Sequence, residues 1–100
     1  MSKRYCFDYG RKFEEWEQLQ EKLVQLFKEK DDSRIIFMEQ GIQILTEIIN
    51  VTEGVHLINF SERFEFIQKN KLNYTAFRQL AELFKEVKKK IAAKRIMGNK

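Results

Sequence analysis

The sequence predicts an all-α protein, a compact bundle of about four helices. Apolar residues recur at spacings of three and four in several segments, which is the pattern of helices with one buried face. The chain has no proline, and its four glycines stand far apart, unlike the turn-rich sequence of a β protein. One hundred residues with 43% hydrophobic and 13% aromatic content predict a single domain with enough apolar side chains for a core.

The first predicted helix covers residues 11–30. Residues 1–10 alternate aromatic side chains with others, so we expect a short strand or an extended arm that docks on the helices. Glutamates near the start of the helix and lysines at its end suit the helix dipole. Six apolar residues line one side of the helix: Phe13, Trp16, Leu19, Leu23, Leu26 and Phe27.

The second predicted helix, residues 33–50, is the most apolar part of the chain and carries two neighbouring apolar stripes. A face of that width predicts a central helix that several others contact. Gly41 lies within it at a cost of about 1 kcal/mol relative to alanine, so we expect either a close approach of another helix or a break. The run at 35–38 leaves a strand open as an alternative.

The connection after the second helix contains a turn at Gly54. Residues 55–58 beyond this turn can pair with residues 5–9, because both segments have the composition of short strands. The sequence therefore allows a minor two-strand ribbon beside the bundle.

A short third helix is predicted at residues 60–69. Either Asn59 or Ser61 is expected to cap it, and Asn59 with Glu62 three residues later resembles a capping box, in which the two side chains satisfy free backbone amides. Three apolar residues of this helix are expected to face inward: Phe60, Phe64 and Ile67.

The fourth predicted helix, residues 73–97, is the longest. Asn73 is a good N-cap because its side-chain oxygen can accept from amides of the first turn. Gly98 is expected to stop the helix just past its last residue. Five residues at three- and four-residue spacing predict a buried stripe: Phe77, Leu80, Phe84, Val87 and Ile91.

Charge divides the chain into an acidic body, residues 1–68, and a basic C-terminal helix region, residues 69–100. The basic region holds ten Lys and Arg against two Glu, a net +8, so the body carries −4 of the total +4. Such asymmetry points to a polyanionic partner: nucleic acid, an acidic protein surface or an anionic membrane surface. The alternative is a solvated helix face that is rich in lysine without serving a partner.

The junction of the third and fourth helices has the outline of a helix-turn-helix unit within residues 60–97. The stretch 63–82 partly matches the twenty-residue pattern of such motifs. Ile67 stands where a small residue is usual, Asn70 where an apolar one is usual, and Lys71 where glycine is usual. The apolar positions that do match are Phe66, Leu72, Phe77 and Leu80.

The leading functional hypothesis is a small DNA-binding regulatory protein that contacts duplex DNA, with a homodimer as an option. Arg78 can pair with guanine and Gln79 with adenine in a major groove, while hydroxyls, lysines and the helix N-terminus hold phosphates. In the alternative reading Arg78 pairs with Glu82 one turn on, and Gln79 is an ordinary surface residue. The predicted contact residues are Lys69, Lys71, Asn73, Tyr74, Thr75, Arg78, Gln79, Lys85 and Lys89.

A second hypothesis is a non-enzymatic protein-interaction module, an inhibitor or adaptor of phage or mobile-element type, that docks on a larger protein through amphipathic helices. Peripheral membrane binding through the 85–95 face is the least favoured option, because the apolar stripe of that helix is expected to be core. The absence of a signal peptide pattern and of a long apolar run predicts a cytoplasmic protein.

The sequence predicts neither an enzyme nor a metal or cofactor protein. The chain has one cysteine, Cys6, and one histidine, His56, so no paired spacing for zinc exists. These two residues would meet if the minor ribbon formed, but nothing in the sequence supplies an oxyanion site or a cleft beside them. No two glycines are close enough for a phosphate loop.

Overall fold

Four α-helices follow one another along the chain in the computed structural model, which describes residues 8–52 and 57–98 and the side chains of these residues up to Ala93. All four predicted helices are confirmed, and each end lies within two residues of its predicted position. The run at 35–38 is helical, so the strand alternative there is wrong. The helices are α1 (Tyr9–Glu29), α2 (Arg34–Val51), α3 (Phe60–Lys69) and α4 (Tyr74–Gly98).

Helix α4 is the central element, because it packs against α1, α2 and α3, whereas α2, for which the sequence predicted this role, packs chiefly against α1 and α4. The five residues of its predicted stripe are all buried, which confirms that prediction. Ala76 and Leu83 are buried beside them and widen the stripe. This extra width has a physical reason: a helix that contacts three neighbours must bury more of its circumference than one that lies on a flat surface.

A row of aromatic rings joins α1 to α4. Trp16 stacks on Phe84 with ring centroids 4.2 Å apart and an angle of 6° between the planes. Phe13 meets Phe84 edge-on at 6.3 Å, and Phe27 stacks on Phe77 at 5.4 Å. Pairs in these geometries contribute about 0.5–1.5 kcal/mol each beyond the burial of their area. We call these five rings the aromatic ladder.

Cations cover both ends of the aromatic ladder. The Lys88 Nζ atom lies 5.7 Å from the centroid of the Phe13 ring at one end. The guanidinium of Arg34 lies 5.3 Å from the Phe27 ring at the other. Both distances lie within the range in which a cation is attracted to the face of a ring. At each end of the aromatic ladder, the cation contacts the ring and can still be hydrated by solvent.

Gly41 of α2 lies where three helices meet. A Cβ atom at this position would stand 2.8 Å from Cζ3 of Trp16 and 3.0 Å from Cδ2 of Leu80. Helix α2 is continuous through the glycine, so the predicted close approach is confirmed and the predicted break is wrong. The missing side chain is what lets α2 touch α1 and α4 at the same point.

Helix α1 begins two residues earlier than predicted. The Asp8 Oδ1 atom accepts from the backbone N–H of Arg11 at 3.0 Å, an N-cap that the sequence analysis missed, so Tyr9 and Gly10 are helical. The Tyr9 hydroxyl lies 2.8 Å from Oγ1 of Thr52 and connects this end to α2. The predicted ribbon lies mostly outside the described residues, and the described parts of its segments are not strands.

Of the N-caps predicted for α3 and α4, only the one for α4 forms. Asn73 Oδ1 accepts from the backbone N–H of Thr75 at 2.8 Å, which confirms the predicted N-cap of α4. Asn59 precedes α3 with φ 53° and makes no side-chain capping bond, so the predicted capping box is wrong. A left-handed backbone turns the side-chain oxygen away from the amides that an extended N-cap residue reaches. Gly98 is the last residue of α4 rather than the first beyond it.

We expect Gly41→Ala to lower the free energy of unfolding by about 1–3 kcal/mol, because the added methyl must push apart Trp16 and Leu80. Gly10→Ala is the matched control, since its Cβ would meet Asp8 Oδ1 at an ordinary 3.6 Å. That variant gains helix propensity and should be stabilised by up to about 1 kcal/mol. Urea unfolding followed by tryptophan fluorescence measures both; a Gly41→Ala protein as stable as the parent would contradict the close approach.

Candidate nucleic-acid interface

The outward face of α4 carries a line of basic side chains. Arg78, Lys85 and Lys89 are exposed, and at about 100° per residue they share the side of the helix opposite its buried stripe. The rise of a helix places Arg78 about 10 Å from Lys85 along the axis, and Lys85 about 6 Å from Lys89. We call these three residues the α4 cation row. Glu82 lies among them as the one acidic residue of that side.

The α4 cation row is only weakly paired. Within the part of the chain that the structure describes, Arg78 and Lys89 make no hydrogen bond or ion pair, and the alternative pair Arg78–Glu82 does not form. Glu82 instead lies 3.9 Å from Lys85, with both side chains more than half exposed. Exposed pairs of this kind contribute about 0–1 kcal/mol. A phosphate can therefore replace Glu82 beside Lys85 at little cost.

Gln79 lies in a different environment from the one the sequence predicted. Its Oε1 atom accepts from Nε of Arg63 at 3.2 Å, and the residue is half-buried between α3 and α4. The same guanidinium donates twice to the carboxylate of Glu86, at 3.0 and 2.9 Å. Gln79 is thus part of a cross-link between two helices and is not presented to a partner in this arrangement.

The cross-link between Arg63 and Glu86 was missed in the sequence. Its two residues are 23 positions apart, so no helical spacing connects them. One signal was present: Glu86 follows Gln79 by seven residues, which places both on the same side of α4. A carboxylate on the side of a basic helix that faces a neighbouring helix is a reason to look there for an arginine.

Three predicted contact residues lie at the start of α4: the capping residue Asn73 and the first two helical residues. The ring of Tyr74 packs against Phe27 and Phe77, at 5.6 Å from each, and is 52% exposed. The side-chain oxygen of Asn73 is used by the helix cap, so it is not open to a ligand. Thr75 is exposed. Of these three residues, only Thr75 and the edge of Tyr74 can reach a partner without rearrangement.

The two predicted lysines of the α3–α4 turn each face a carboxylate. Lys69 lies 3.0 Å from Glu65 on its own helix, and Lys71 lies 3.1 Å from Glu39 of α2. The Lys71 pair holds the turn against α2 and is the less exposed of the two. These lysines therefore add less to the local positive potential than the α4 cation row does.

The helix-turn-helix register is not reproduced in the packing of α3. Phe66 and Leu72, two of the four matching apolar residues, are 37% and 46% exposed. Helix α3 instead buries Ile67 completely and packs Phe60 and Phe64 against the core, as its own periodicity predicted. Ile67 occupies the position where the motif needs a small residue, so the contact of α3 with α4 follows a different register.

Cys6 and His56, the two residues considered for nucleophilic catalysis, lie in segments 1–7 and 53–56, outside the residues that the structure describes. Among the described side chains, no group of three or more His, Cys, Asp or Glu is placed to hold a metal ion. No helix in the described ranges combines the length and apolarity that a bilayer crossing requires.

Arg63 sets the ionisation of Glu86. Its hydrogen bonds to the carboxylate are the main cause that lowers the pKa of Glu86, and the charges of Arg63, Lys90 and Lys89 lower it further, whereas burial opposes the shift. Because the folded-state pKa lies below that of the unfolded chain, the stabilisation is fully present at neutral pH. It is lost as the pH falls through the folded-state pKa of Glu86.

We expect Glu86→Gln to lower the free energy of unfolding by about 1 kcal/mol at neutral pH, a modest loss because the side chain is 36% exposed and partly screened. The loss should shrink below about pH 4, where the carboxylate of the parent is itself protonated. Glu82→Gln, on the exposed side of the same helix, is the control and should change stability by less than about 0.5 kcal/mol. Urea unfolding over a pH series measures both variants; equal losses would contradict the cross-link.

Comparison with known proteins yields one family. A family model described as "YpoC-like protein" matches residues 8–99, which contain all four helices and the whole α4 cation row. No curated protein and no solved structure shows a significant match to the chain. Because the match covers well over half of the chain, the protein belongs to the YpoC-like protein family.

Proposed function

We propose that the protein is a small DNA-binding protein that holds the phosphate backbone on the outward face of α4. The observation that carries this proposal is the α4 cation row, in which Arg78 and Lys89 are exposed and unpaired among the described residues. A line of cations along one helix face suits a polyanion whose charges are also arranged in a line. Residues 69–100 as a whole carry +8, so the surrounding potential is also positive.

The proposed contact is mainly to phosphates. Gln79, predicted to read a base, is bonded to Arg63, and the oxygen of Asn73, predicted to contact phosphate at the helix N-terminus, caps its own helix, so both groups are occupied. Arg78 is the remaining candidate for a base edge, and alone it supports little sequence preference. Phosphate contacts position a protein on DNA without carrying sequence information. A regulatory role would then depend on where the protein is recruited rather than on a long recognition sequence.

A protein-interaction module is the second candidate, favoured by one observation. Ile35 and the exposed Leu72 line an open depression at the α3–α4 turn, and Lys69 and Lys71 lie on the same depression. Apolar anchors beside cations suit an acidic protein surface. The depression is wide open, and its lysines already face Glu65 and Glu39, so this observation is weaker than the free cations of α4.

We expect binding to a labelled mixed-sequence DNA duplex to weaken with salt, with a log–log slope of about −2.7 for three phosphate contacts. Replacing Arg78, Lys85 and Lys89 together by alanine should weaken binding by about tenfold or more in low salt and flatten the slope by about 2–3. Fluorescence anisotropy over a salt series measures both effects.

The control removes the same charge elsewhere on the surface. Arg11, Lys22 and Lys28 of α1 are also one arginine and two lysines, and all three are exposed. Their triple alanine variant should bind within about threefold of the parent, because these side chains are not on the proposed surface. Equal losses in the two triple variants would show that only net charge matters. No binding to any duplex in low salt would remove the proposal.

A further inference from the structure

We infer that the groove between α1 and α4 receives an unpaired nucleobase of a DNA strand whose phosphates lie on the α4 cation row. This inference rests on the proposed function and specifies its substrate, which is DNA with single-stranded segments. The groove has a volume of about 140 Å³, which is room for a group larger than one water molecule. It is more enclosed than the depression at the α3–α4 turn, and a single planar group can enter it.

The floor of the groove is aromatic. Phe13, Trp16 and Phe84 of the aromatic ladder line it, and the small side chain of Ala81 on α4 leaves it open above them. An inserted base would meet ring edges and apolar carbon there, and would displace water from a surface that cannot bond to it. Phe13, Trp16 and Phe84 are only 8%, 4% and 2% exposed, so a base would contact ring edges rather than stack on a free ring face, and such contacts tolerate any sequence.

The two walls of the groove differ in charge. Lys85 and Lys88 stand on the α4 wall, whereas Glu17 and Gln20 stand on the α1 wall. Lys85 also belongs to the α4 cation row, so a phosphate held by the row lies next to the groove. A nucleotide has this same asymmetry, with an anionic phosphate at one end and a base edge that carries amino and ring N–H donors at the other.

The α1 wall argues against an acidic peptide as the occupant. The Glu17 carboxylate can accept hydrogen bonds from the amino groups of a base, and the Gln20 amide can both donate and accept. A carboxylate on a peptide would be repelled by Glu17. The Lys88 Nζ atom lies 4.0 Å from Glu17 across the groove, in a pair with both side chains exposed, so opening it costs little.

Selection for unpaired bases follows from the geometry of DNA. Bases in a duplex are stacked and paired, so extracting one costs free energy because these contacts are broken. A groove that binds one base therefore favours single-stranded DNA, including gaps and unpaired ends, because no base pair must be broken there. The α4 cation row alone has no such preference, because it contacts only the backbone.

Trp16 is the only tryptophan of the chain and lines the groove, so its fluorescence reports occupancy directly. We expect a single-stranded oligonucleotide to bind about tenfold tighter than its duplex and to quench Trp16, whereas the duplex leaves the emission nearly unchanged. The probe is a mixed-sequence DNA oligonucleotide, used alone and annealed to its complement.

Two variants distinguish the contribution of the groove to DNA binding from that of the α4 cation row. Ala81→Leu fills the groove without a change in charge and should abolish the preference for single strands while duplex affinity stays constant. Ala93→Leu adds the same bulk at an exposed position of α4 and should leave the preference intact. Far-ultraviolet circular dichroism checks that both variants keep the helical fold.

Glu17→Gln gives an independent test that does not crowd the core, because Glu17 is exposed. Loss of an acid alone would strengthen binding of both DNA forms equally. We expect instead that the ratio of single-strand to duplex affinity falls by several-fold, since the amide oxygen of Gln accepts hydrogen bonds less strongly than the carboxylate it replaces. An unchanged ratio of single-strand to duplex affinity in Ala81→Leu and Glu17→Gln would contradict base binding in the groove. Duplex binding with no preference for single strands and no quenching would also contradict it. Either result leaves the proposed function intact. No binding to either DNA form removes both.

Discussion

The stacked contact of Trp16 on Phe84 is the interaction on which the other features of this structure depend. It fixes α4 against α1 with rings 4.2 Å apart and nearly parallel. Trp16 also meets the backbone of α2 at Gly41, where no Cβ atom fits. One side chain therefore sets the separation of three helices. Because interiors are packed as tightly as organic crystals, a change at this point cannot be absorbed by small shifts elsewhere.

The rotation of α4 about its axis follows from that contact and decides what the surface presents. With Phe84 directed at Trp16, Lys88 lies on the α1 side of the helix and Glu86 on the α3 side. The side left over carries Arg78, Lys85 and Lys89. The bidentate bonds from Arg63 hold the α3 side in the same register, so α4 is fixed from two directions. The candidate interface is thus a product of core packing as much as of lysine content.

Local sequence patterns predicted most of the fold, because helix periodicity and helix caps depend on residues that are close together in the sequence. The buried stripe of α4 and the cap at Asn73 follow from spacing and residue type alone. The alternating aromatic residues before Arg11 resemble a strand and predict a later start for α1 than the cap at Asp8 gives it. Asn59 failed as a cap because its backbone is left-handed, a property that depends on the preceding loop rather than on the residue type.

The candidate site was predicted less well, because its departures come from contacts between distant segments. Gln79 was assigned to base recognition from its position on α4, yet Arg63 of α3 holds it. The apolar match at Phe66 does not correspond to burial, since the turn rotates α3 so that Ile67 faces the core. No spacing rule predicts a bond between residues 16 or 23 positions apart. The free cations of α4 were predicted correctly as exposed, because they lie opposite a stripe that the sequence defines.

Core packing directs the α4 cation row outward, where we propose that it meets phosphates. The most direct measurement is a nuclear magnetic resonance titration of isotope-labelled protein with a mixed-sequence duplex in low salt. We expect shift changes that recur every three or four residues along the outward side of α4, around Arg78, Lys85 and Lys89, with the signals of Phe84 unchanged. Shift changes centred on α1 or α2, or an absence of changes along α4, would contradict it.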